Sequence, residues 1–314
     1  MPAATPRELS TLLERLIAGE RPGSAELTIF SDLGRDDREI VRGSWDRIPT
    51  ASRAAVLTRV AELAEDNADL DFASLGNIGL DDEHPEVRAL AADTLWESRD
   101  RLIAARLRDR LDDEDSEVRA AAARSLRQFV ILREFEQVDG AEGDAVVDAL
   151  RARAEDPAED EEVRACALES LGARSLPWVA SLIQEAFDGD KRRLRLAAIH
   201  AMGDSGDERW LDYLYEQFYS EDPEFRYESV VAAGGIGSDE ALTPIGDLLD
   251  DDDVEVVMAA IEALGEIGGD EAAEKLEDYA GRAPDFLAEL VAVAIDAARG
   301  GLGLDLGLED EDDD

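Results

Sequence analysis

The residues whose chemistry could serve catalysis or metal binding are few and lie far apart. The chain has two histidines, His84 and His200, and one cysteine, Cys166. His84 stands before a proline in an acidic turn, and neither histidine has a second ligand nearby at the spacing of a metal site. Cys166 lies within an alanine-rich helical pattern, which favours a buried core position. No phosphate-binding glycine loop and no nucleophile elbow occurs. We therefore expect no catalytic residue, no cofactor and no metal ion.

The acidic runs are the other candidates, because carboxylates bind calcium. The segment "DLLDDDDVEVV" (247–257) has enough carboxylates, but it lacks the central glycine and the spaced terminal glutamate of a calcium loop. The pattern is therefore typical of weak, adventitious cation binding, and a solvated surface explains these acids more simply.

The charge of the chain limits its partners. The 77 acidic residues outnumber the 32 basic ones, which gives a formal net charge of −45. Residues 1–60 hold nine of each sign, whereas residues 201–314 hold 34 acids and five bases. Acid excess with only two lysines is typical of a halophilic protein from a high-salt cytoplasm. The acidity predicts repulsion of nucleic acids, and it suits either a solvated surface or a docking face for a basic partner.

Targeting signals are absent from the sequence pattern. The first residues, "MPAATPRELS", contain no apolar run, so no signal peptide is expected. No stretch of about 18 apolar residues could span a membrane. A single cysteine cannot form a disulfide within the chain, which favours a reducing compartment, and we expect a cytoplasmic protein. The final residues, "LEDEDDD", are predicted to be a disordered acidic tail.

A repeat of 31 residues organises most of the chain. It is marked by an apolar residue followed by arginine, and these arginines are separated by steps of 31, 45, 31 and 31 residues. The arginine column consists of Arg88, Arg119, Arg164, Arg195 and Arg226. The pattern continues at Val257, where the arginine is lost, and in degenerate form at Ala288.

The same residue types recur around each arginine. Apolar or small residues stand one before, three after and seven after it, which forms one face of a helix. Glycine at the eighth position, as in Gly203, Gly234 and Gly265, predicts the end of that helix because glycine readily adopts positive φ. The acidic residues just before the helix are expected to cap it.

Each unit therefore consists of helix A, an acidic turn, helix B and a glycine turn. A pair of this size cannot bury its apolar face alone, whereas stacked pairs bury a continuous core. We predict an all-α solenoid of stacked antiparallel helix pairs over residues 81–299, with an insertion near 133–144. Residues 1–80 are predicted to form an N-terminal helical cap with degenerate repeats, and residues 300–314 form the acidic tail.

The pattern "DxxxEVRxxAAxxLG" in 31-residue helical pairs resembles HEAT repeats, of the short type named after phycobilisome lyases. The resemblance covers about residues 81–299 and implies a right-handed α-solenoid whose B helices line the inner face. It also implies a ladder in which aspartates of the turns bind arginines of the B helices between neighbouring repeats. The residues assigned to this ladder are Asp81, Asp112, Asp188 and Asp250 with Arg88, Arg119, Arg164, Arg195 and Arg226.

Enzymes that resemble these repeats define the alternatives. Deoxyhypusine hydroxylases of this kind carry iron on His-Glu pairs, and here His84 precedes proline and His200 precedes alanine. DNA-repair glycosylases with similar solenoids need a basic inner surface, which this chain lacks. Phycobilin lyases are two-chain assemblies with few shared catalytic signatures, so the pattern neither supports nor excludes a lyase-like enzyme or enzyme subunit.

The side of helix B that faces away from the core is predicted from the positions one and five after the arginine. These positions are small or charged in the early copies and apolar in the later ones. Two aromatic residues join these candidates. Trp96 occupies the eighth position, where glycine is usual, and Tyr213 is expected to point away from the buried side of its helix. The candidate partner-binding residues are Trp96, Leu196, His200, Tyr213, Tyr227, Val231 and Met258.

These observations favour a non-enzymatic scaffold that mediates protein–protein interaction through the inner face of the B helices. Its partner is expected to be a protein or peptide of basic and apolar character, with no nucleic acid and no membrane involved. Two alternatives stand beside this prediction: a lyase-like enzyme or enzyme subunit, and a structural element of a larger assembly. Packing between adjacent repeats would also account for the apolar residues.

Overall fold

A computed structural model describes residues 6–300 of the chain, and this range is helical without any strand. Short 3-10 turns at Thr28–Phe30, Glu208–Trp210, Asp239–Ala241, Leu248–Asp250 and Asp285–Leu287 supplement the α-helices. The helices are α1 (Pro6–Ile17), α2 (Ser24–Leu27), α3 (Arg35–Trp45), α4 (Thr50–Asp66), α5 (Ala73–Gly79), α6 (Pro85–Asp93), α7 (Arg101–Arg110), α8 (Ser116–Ser125), α9 (Arg127–Glu134), α10 (Gly140–Glu155), α11 (Glu161–Leu171), α12 (Pro177–Asp188), α13 (Arg192–Asp204), α14 (Leu211–Gln217), α15 (Pro223–Ile236), α16 (Leu242–Asp247), α17 (Val254–Ile267), α18 (Gly269–Ala280) and α19 (Ala288–Ala298).

The helices form two compact units, one up to Ala198 and one from Ile199 onward. In the first unit the B helices α4, α6, α8 and α11 pack on one another in chain order, with α5, α7 and α10 as the A helices between them. In the second unit α15, α17 and α19 pack in the same way, with α16 and α18 between them. The prediction of an all-α fold built from stacked helix pairs is confirmed.

The repeated apolar positions form the core of both units. Val87, Val118 and Val163, which precede ladder arginines, are fully buried, and so is Val256 in the second unit. Burying one such side chain stabilises the fold by about 1.5–3 kcal/mol. A helix pair has only a few of these residues, so each pair depends on its neighbours to cover them.

The glycine column has a different role from the predicted one. Gly203, Gly234 and Gly265 lie inside helices α13, α15 and α17, and the positive φ values occur three residues later, at the glycine that ends each pattern. A Cβ atom on Gly234 would lie 2.7 Å from the Cβ of Ala263 in the next B helix. The prediction of a helix stop was wrong for these three glycines, which let adjacent B helices approach closely, whereas Gly172 in the same column does end α11.

The first unit achieves the same close approach with serine. The Ser125 hydroxyl donates to the Ala92 carbonyl of the preceding B helix at 2.8 Å, and Ser170 donates to Ala123 at the same distance. Both hydroxyls are buried, so each satisfies a polar group within the helix contact. Ser125 and Ser170 occupy the sixth position after the arginine, where the second unit has alanine facing glycine.

The predicted segments correspond to the following parts of the structure. The insertion near 133–144 forms the end of α9, a short loop and the start of α10. Within residues 1–80, α4 packs on α6 as a further B helix, so this segment includes a repeat helix as well as the preceding α1 to α3. The predicted acidic tail, apart from residue 300, lies outside the described residues.

Replacing Gly234 with alanine tests the close approach of α15 and α17. We expect a loss of about 1–3 kcal/mol in the free energy of unfolding, because the added methyl group overlaps Ala263. Gly235→Ala is the matched control, since its Cβ would meet nothing nearer than 3.9 Å and alanine favours the helix by about 1 kcal/mol. Urea denaturation of both variants measures the difference, and equal stability of the two would contradict the close-contact role.

Candidate binding surfaces

The ladder arginine is the residue that joins one turn to the next. In Arg88 the Nε and Nη2 atoms donate to the two carboxylate oxygens of Asp113 at 2.9 and 2.7 Å. Its Nη1 atom donates to the Asp82 carbonyl in its own turn at 2.9 Å. One planar guanidinium therefore fixes two consecutive turns at once, which a lysine could not do with the same geometry.

The same fork recurs further along the chain. Arg119 binds the Glu159 carboxylate, with Nη2 at 2.7 Å, and its Nη1 donates to the Asp113 carbonyl. In the second unit, Arg226 binds both carboxylate oxygens of Asp251 at 2.8 Å. The hydrogen bonds of these three pairs are charge-assisted, because donor and acceptor are both ionised. The three carboxylates are nearly buried, so the pairs are shielded from solvent.

The carboxylates of the ladder differ from the predicted ones by one residue. Asp81 and Asp112, the first acids of their turns, instead bind arginines of A helices, Arg106 and Arg153. Asp250 likewise binds Arg282. Arg88 and Arg226 bind the second acids of the following turns, Asp113 and Asp251, and each of these aspartates also accepts a backbone amide two residues later.

A third set of acids caps the B helices. Asp115 accepts the Glu117 amide at 2.9 Å, and Asp253 accepts the Glu255 amide at the same distance. Asp160 and Asp222 cap α11 and α15 in the same way. The acids expected to cap the helix included Asp112–Asp113 and Asp250–Asp251, whereas the capping residue is a later acid of the same turn, four positions before the arginine position.

The ladder is interrupted after Arg164, where the second acid is missing. The residue 25 positions after Arg164 is Gly189, and Arg164 donates its Nε to the Ala154 carbonyl at 3.2 Å instead. The Arg195 guanidinium lies 5.9 Å from the Phe187 ring. Asp188, which was assigned to the ladder, accepts a hydrogen bond from Gln184 in its own helix.

The first rung of the ladder was missed because it does not follow the 31-residue spacing. Arg53 in α4 donates to the buried Asp82 carboxylate at 2.7 Å, and the Trp45 indole donates to the same oxygen at 2.7 Å. Arg53 precedes Arg88 by 35 residues and follows a serine rather than an apolar residue. The signal that could have found it is Asp82, which stands six residues before the next arginine, as Asp113 does.

These pairs lower the pKa of the ladder carboxylates. Burial alone would raise the pKa of Asp113, but the hydrogen bonds from Arg88 and the Asp115 amide, with the positive charges of Arg88 and Arg110, hold it below its usual value. The same balance lowers the pKa of Glu159 and of Asp251. A carboxyl group with a depressed folded-state pKa stabilises the fold above its unfolded pKa and loses that contribution as the pH falls through the folded value.

Asp113→Asn tests the ladder directly. We expect it to lower the free energy of unfolding at neutral pH by about 3 kcal/mol, because Arg88 is left buried with a neutral partner. Asp112→Asn, next to it in the same turn, removes an exposed ion pair and should cost less than about 1 kcal/mol. Denaturation curves at several pH values should show the Asp113→Asn deficit shrinking below about pH 4, where the aspartate itself becomes protonated. A deficit that is equal for both variants, or independent of pH, would contradict the ladder.

Three of the candidate partner-binding residues form an exposed patch in the second unit. Tyr227 and Val231 lie one turn apart on α15, and Met258 lies on α17, which packs against α15. Their exposed fractions are 37, 42 and 38 per cent, respectively. Val254 on α17 is also exposed. We call the group formed by Tyr227, Val231, Val254 and Met258 the α15–α17 patch.

Carboxylates surround the α15–α17 patch. Burial together with the negative charges of Glu228, Glu262 and Glu255 raises the pKa of the Tyr227 hydroxyl. These glutamates lie on the same two helices as the apolar residues. The patch is thus an apolar centre with an acidic border.

The other candidate residues differ in their exposure. Leu196 is buried, with an exposed fraction of 6 per cent, so it cannot belong to an exposed groove. His200 is exposed, with Nε2 at 3.4 Å from an Asp204 carboxylate oxygen. Tyr213 is half-buried and its ring lies edge-on to the Trp210 ring, 5.6 Å between centroids. Trp96 is exposed.

The same helix face forms an inner cleft of about 1010 Å³ in the first unit. Helices α4, α6, α8 and α11 line it, with alanines such as Ala89 and Ala120 at the positions that follow the ladder arginines. Its charged residues are Glu86, Asp93, Glu117, Arg124, Asp160 and Glu162. The prediction that these positions are small or charged in the early copies agrees with this lining.

A charged network fills one side of the inner cleft. Arg124 donates to both carboxylate oxygens of Asp93 at 3.1 and 3.3 Å, and lies 3.5 Å from the Cys166 sulfur. Arg193 binds Glu162 and Glu169 at 2.7 and 2.6 Å. Burial raises the pKa of the Cys166 thiol to about 12, against the opposing effect of Arg124, so the thiol stays protonated at neutral pH.

Within residues 6–300, no group of three or more histidine, cysteine or carboxylate side chains is arranged to hold a metal ion. In the same range, no helix is both long enough and apolar enough to cross a membrane.

Comparison with known proteins identifies related sequences and folds. The family model described as HEAT repeats matches residues 73–160 and 211–296, which together exceed half of the chain. No curated protein sequence matches this chain.

Several solved structures are similar. The complex of CpcE and CpcF of phycocyanin lyase from Nostoc sp. PCC7120 matches at 18% identity and a TM-score of 0.54, covering 89% of this chain and 96% of that one. YibA of Escherichia coli matches at 18% identity and a TM-score of 0.48, covering 89% and 98%. Human deoxyhypusine hydroxylase in complex with glycerol matches at 17% identity and a TM-score of 0.35, covering 93% and 96%. At these identities the likeness concerns the fold alone.

Proposed function

The chain belongs to the HEAT-repeat family, and from that premise we propose that it is a non-enzymatic scaffold that binds a protein partner. The observation that carries the proposal is the α15–α17 patch. The fold does not require apolar side chains at these positions, because the core is built from the opposite face of the helix. Exposed tyrosine, valine and methionine side chains on adjacent helices are typical of protein interaction sites.

The border of the patch indicates the chemistry of the partner. Glu228, Glu255 and Glu262 surround Tyr227 and would favour lysine or arginine side chains placed next to apolar ones. The partner is therefore a protein segment with basic and apolar residues. Electrostatic attraction would speed its association, and the apolar centre would supply most of the affinity.

The enzymatic alternative requires reactive groups that are free to act on a substrate. In the inner cleft Asp93 and Arg124 bind each other, and the Cys166 thiol is buried and protonated at neutral pH. A lyase-like reaction would need a nucleophile, or an acid and a base, whose side chains are free to reach the substrate rather than bound to each other. The commitment of these groups to each other supports a scaffold over a lyase-like enzyme.

A matched set of peptides tests the proposed function. A short synthetic peptide of alternating basic and apolar residues should bind, and its counterpart with glutamate in place of the basic residues should not. The Tyr227→Ala, Val231→Ala and Met258→Ala variants each remove apolar area without adding charge. We expect losses of about 2 kcal/mol for the residues at the centre of the contact, measured by fluorescence anisotropy.

Tyr219→Ala is the control for this experiment, because it removes another exposed aromatic side chain of the same unit. It should leave the affinity unchanged. If the basic peptide binds all variants equally well, its attraction is a general effect of the acidic surface, and the patch has no binding role.

We also propose that the acidity adapts the chain to a high-salt cytoplasm. With a net charge of −45, the negative side chains repel one another in the folded state. Salt at about 2 M reduces the distance over which this repulsion acts to a few ångströms. Raising KCl from about 0.15 M to about 2 M should therefore increase the thermal unfolding midpoint. Differential scanning fluorimetry measures this, with sucrose at matched osmolality as the control. A midpoint that does not rise with KCl would contradict the adaptation.

A further inference from the structure

The last described helix, α19, has apolar side chains on two of its sides. One side is buried against α17 and α18. The other holds apolar residues at spacings of four, three and four positions, which places them in one row along the helix. These residues are Phe286 in the preceding 3-10 turn, Leu290, Val293 and Ala297. We call them the α19 row, and Phe286 and Val293 within it are 69 and 58 per cent exposed.

The α19 row departs from the preceding copy of the repeat. Phe286 lies 31 residues after Glu255 of α17, and Glu255 is exposed. Val293 lies 31 residues after Glu262 of the same helix, which is exposed as well. Two glutamates that water solvates in α17 are thus replaced by large apolar side chains in α19. Water alone does not favour this exchange, so the change indicates that an apolar group covers the α19 row.

A further B helix is a poor candidate for this cover. Asp296 stands in the column of Gly234 and Gly265, where glycine lets the next B helix approach closely. Asp296 is exposed, and its side chain would obstruct a helix that stacked on α19 as α19 stacks on α17. For the same reason, a second copy of the chain is not expected to continue the stack of B helices at this end.

The sequence that follows α19 has a matching apolar pattern. Residues 301–308 read "GLGLDLGL", with leucine at every second position. The leucines are Leu302, Leu304, Leu306 and Leu308. A period of two places them on one side of an extended chain, with Asp305 on the other side. Three glycines among these eight residues disfavour a helix, so the pattern favours the extended form.

We propose that the four leucines of residues 301–308 pack on the α19 row as an extended segment. Gly300 has a φ of +76°, which is typical of a chain that turns after a helix, so the segment can return along α19. The four leucines span about 20 Å in extended form, and the α19 row spans about 17 Å along the helix axis. In this arrangement Leu304 lies next to Val293, and Leu308 lies next to Phe286.

The charge of the segment is compatible with this contact. Residues 301–308 contain one acid, whereas residues 309–314 are all acidic. In the returning direction the acidic run passes the N-terminal end of α19, where the helix dipole favours negative charge. The contact covers apolar area that would otherwise promote self-association. It does not depend on a binding role of the α15–α17 patch, because it involves other residues.

Thiol labelling of Val293→Cys in the full chain tests whether the segment covers the α19 row. The native Cys166 is buried and its thiol stays protonated at neutral pH, so the wild type gives the background rate. Replacing all four leucines with serine should make the introduced thiol react with a maleimide roughly tenfold faster. Tyr219→Cys is the matched control, because Tyr219 is exposed in the same unit and lies outside the row. Its labelling rate should not change when the leucines are replaced.

Disulfide formation tests the direction of the segment and separates this contact from one with a second copy. Val293→Cys with Leu304→Cys, and Phe286→Cys with Leu308→Cys, should form disulfides within one chain faster than the two exchanged pairs. Gel electrophoresis without reductant distinguishes the cross-linked monomer from a dimer, and circular dichroism checks that every variant folds. The proposal is overturned if the leucines do not affect labelling at position 293, if matched and exchanged pairs react equally fast, or if disulfides form only between chains.

Discussion

The bond between a B-helix arginine and a carboxylate of the following turn is the interaction on which the rest of this structure depends. Each complete fork, as in Arg88 with Asp113 and Arg226 with Asp251, spans its own turn and the next one. Because the carboxylates are nearly buried, either charge left alone would be strongly destabilising. The forks therefore fix the register of neighbouring helix pairs, and the apolar core supplies most of the stability.

Close approach of the B helices is the second constraint, and the two units meet it with different chemistry. Buried serine hydroxyls bind carbonyls of the preceding helix in the first unit, whereas glycine faces alanine in the second. Both solutions use the core-facing side of the helix. The opposite side is left free of structural demands, and it is there that the inner cleft and the α15–α17 patch differ in composition. Residues at these positions can therefore change without changing the fold.

Sequence periodicity was sufficient to predict the helix pairs, the arginine column and the exposed positions of α15 and α17. It could not choose between consecutive aspartates, since Asp112 and Asp113 are one residue apart and only backbone geometry decides which of them meets Arg88. It also assigned glycine to the helix end, because the sequence does not reveal how near the next helix lies. Leu196 was predicted to be exposed by analogy with neighbouring copies, yet it is buried. Arg53 escaped notice because its spacing departs from the repeat.

A double-mutant cycle on Arg226 and Asp251 tests the central claim most directly. The free energy of unfolding would be measured for the wild type, Arg226→Met, Asp251→Asn and the double variant. If the fork holds the two turns together, the double variant should be more stable than the sum of the single effects predicts, with a coupling energy of about 1–3 kcal/mol. A coupling below about 0.5 kcal/mol would mean that the two residues act independently, and the ladder would not be what aligns the repeats.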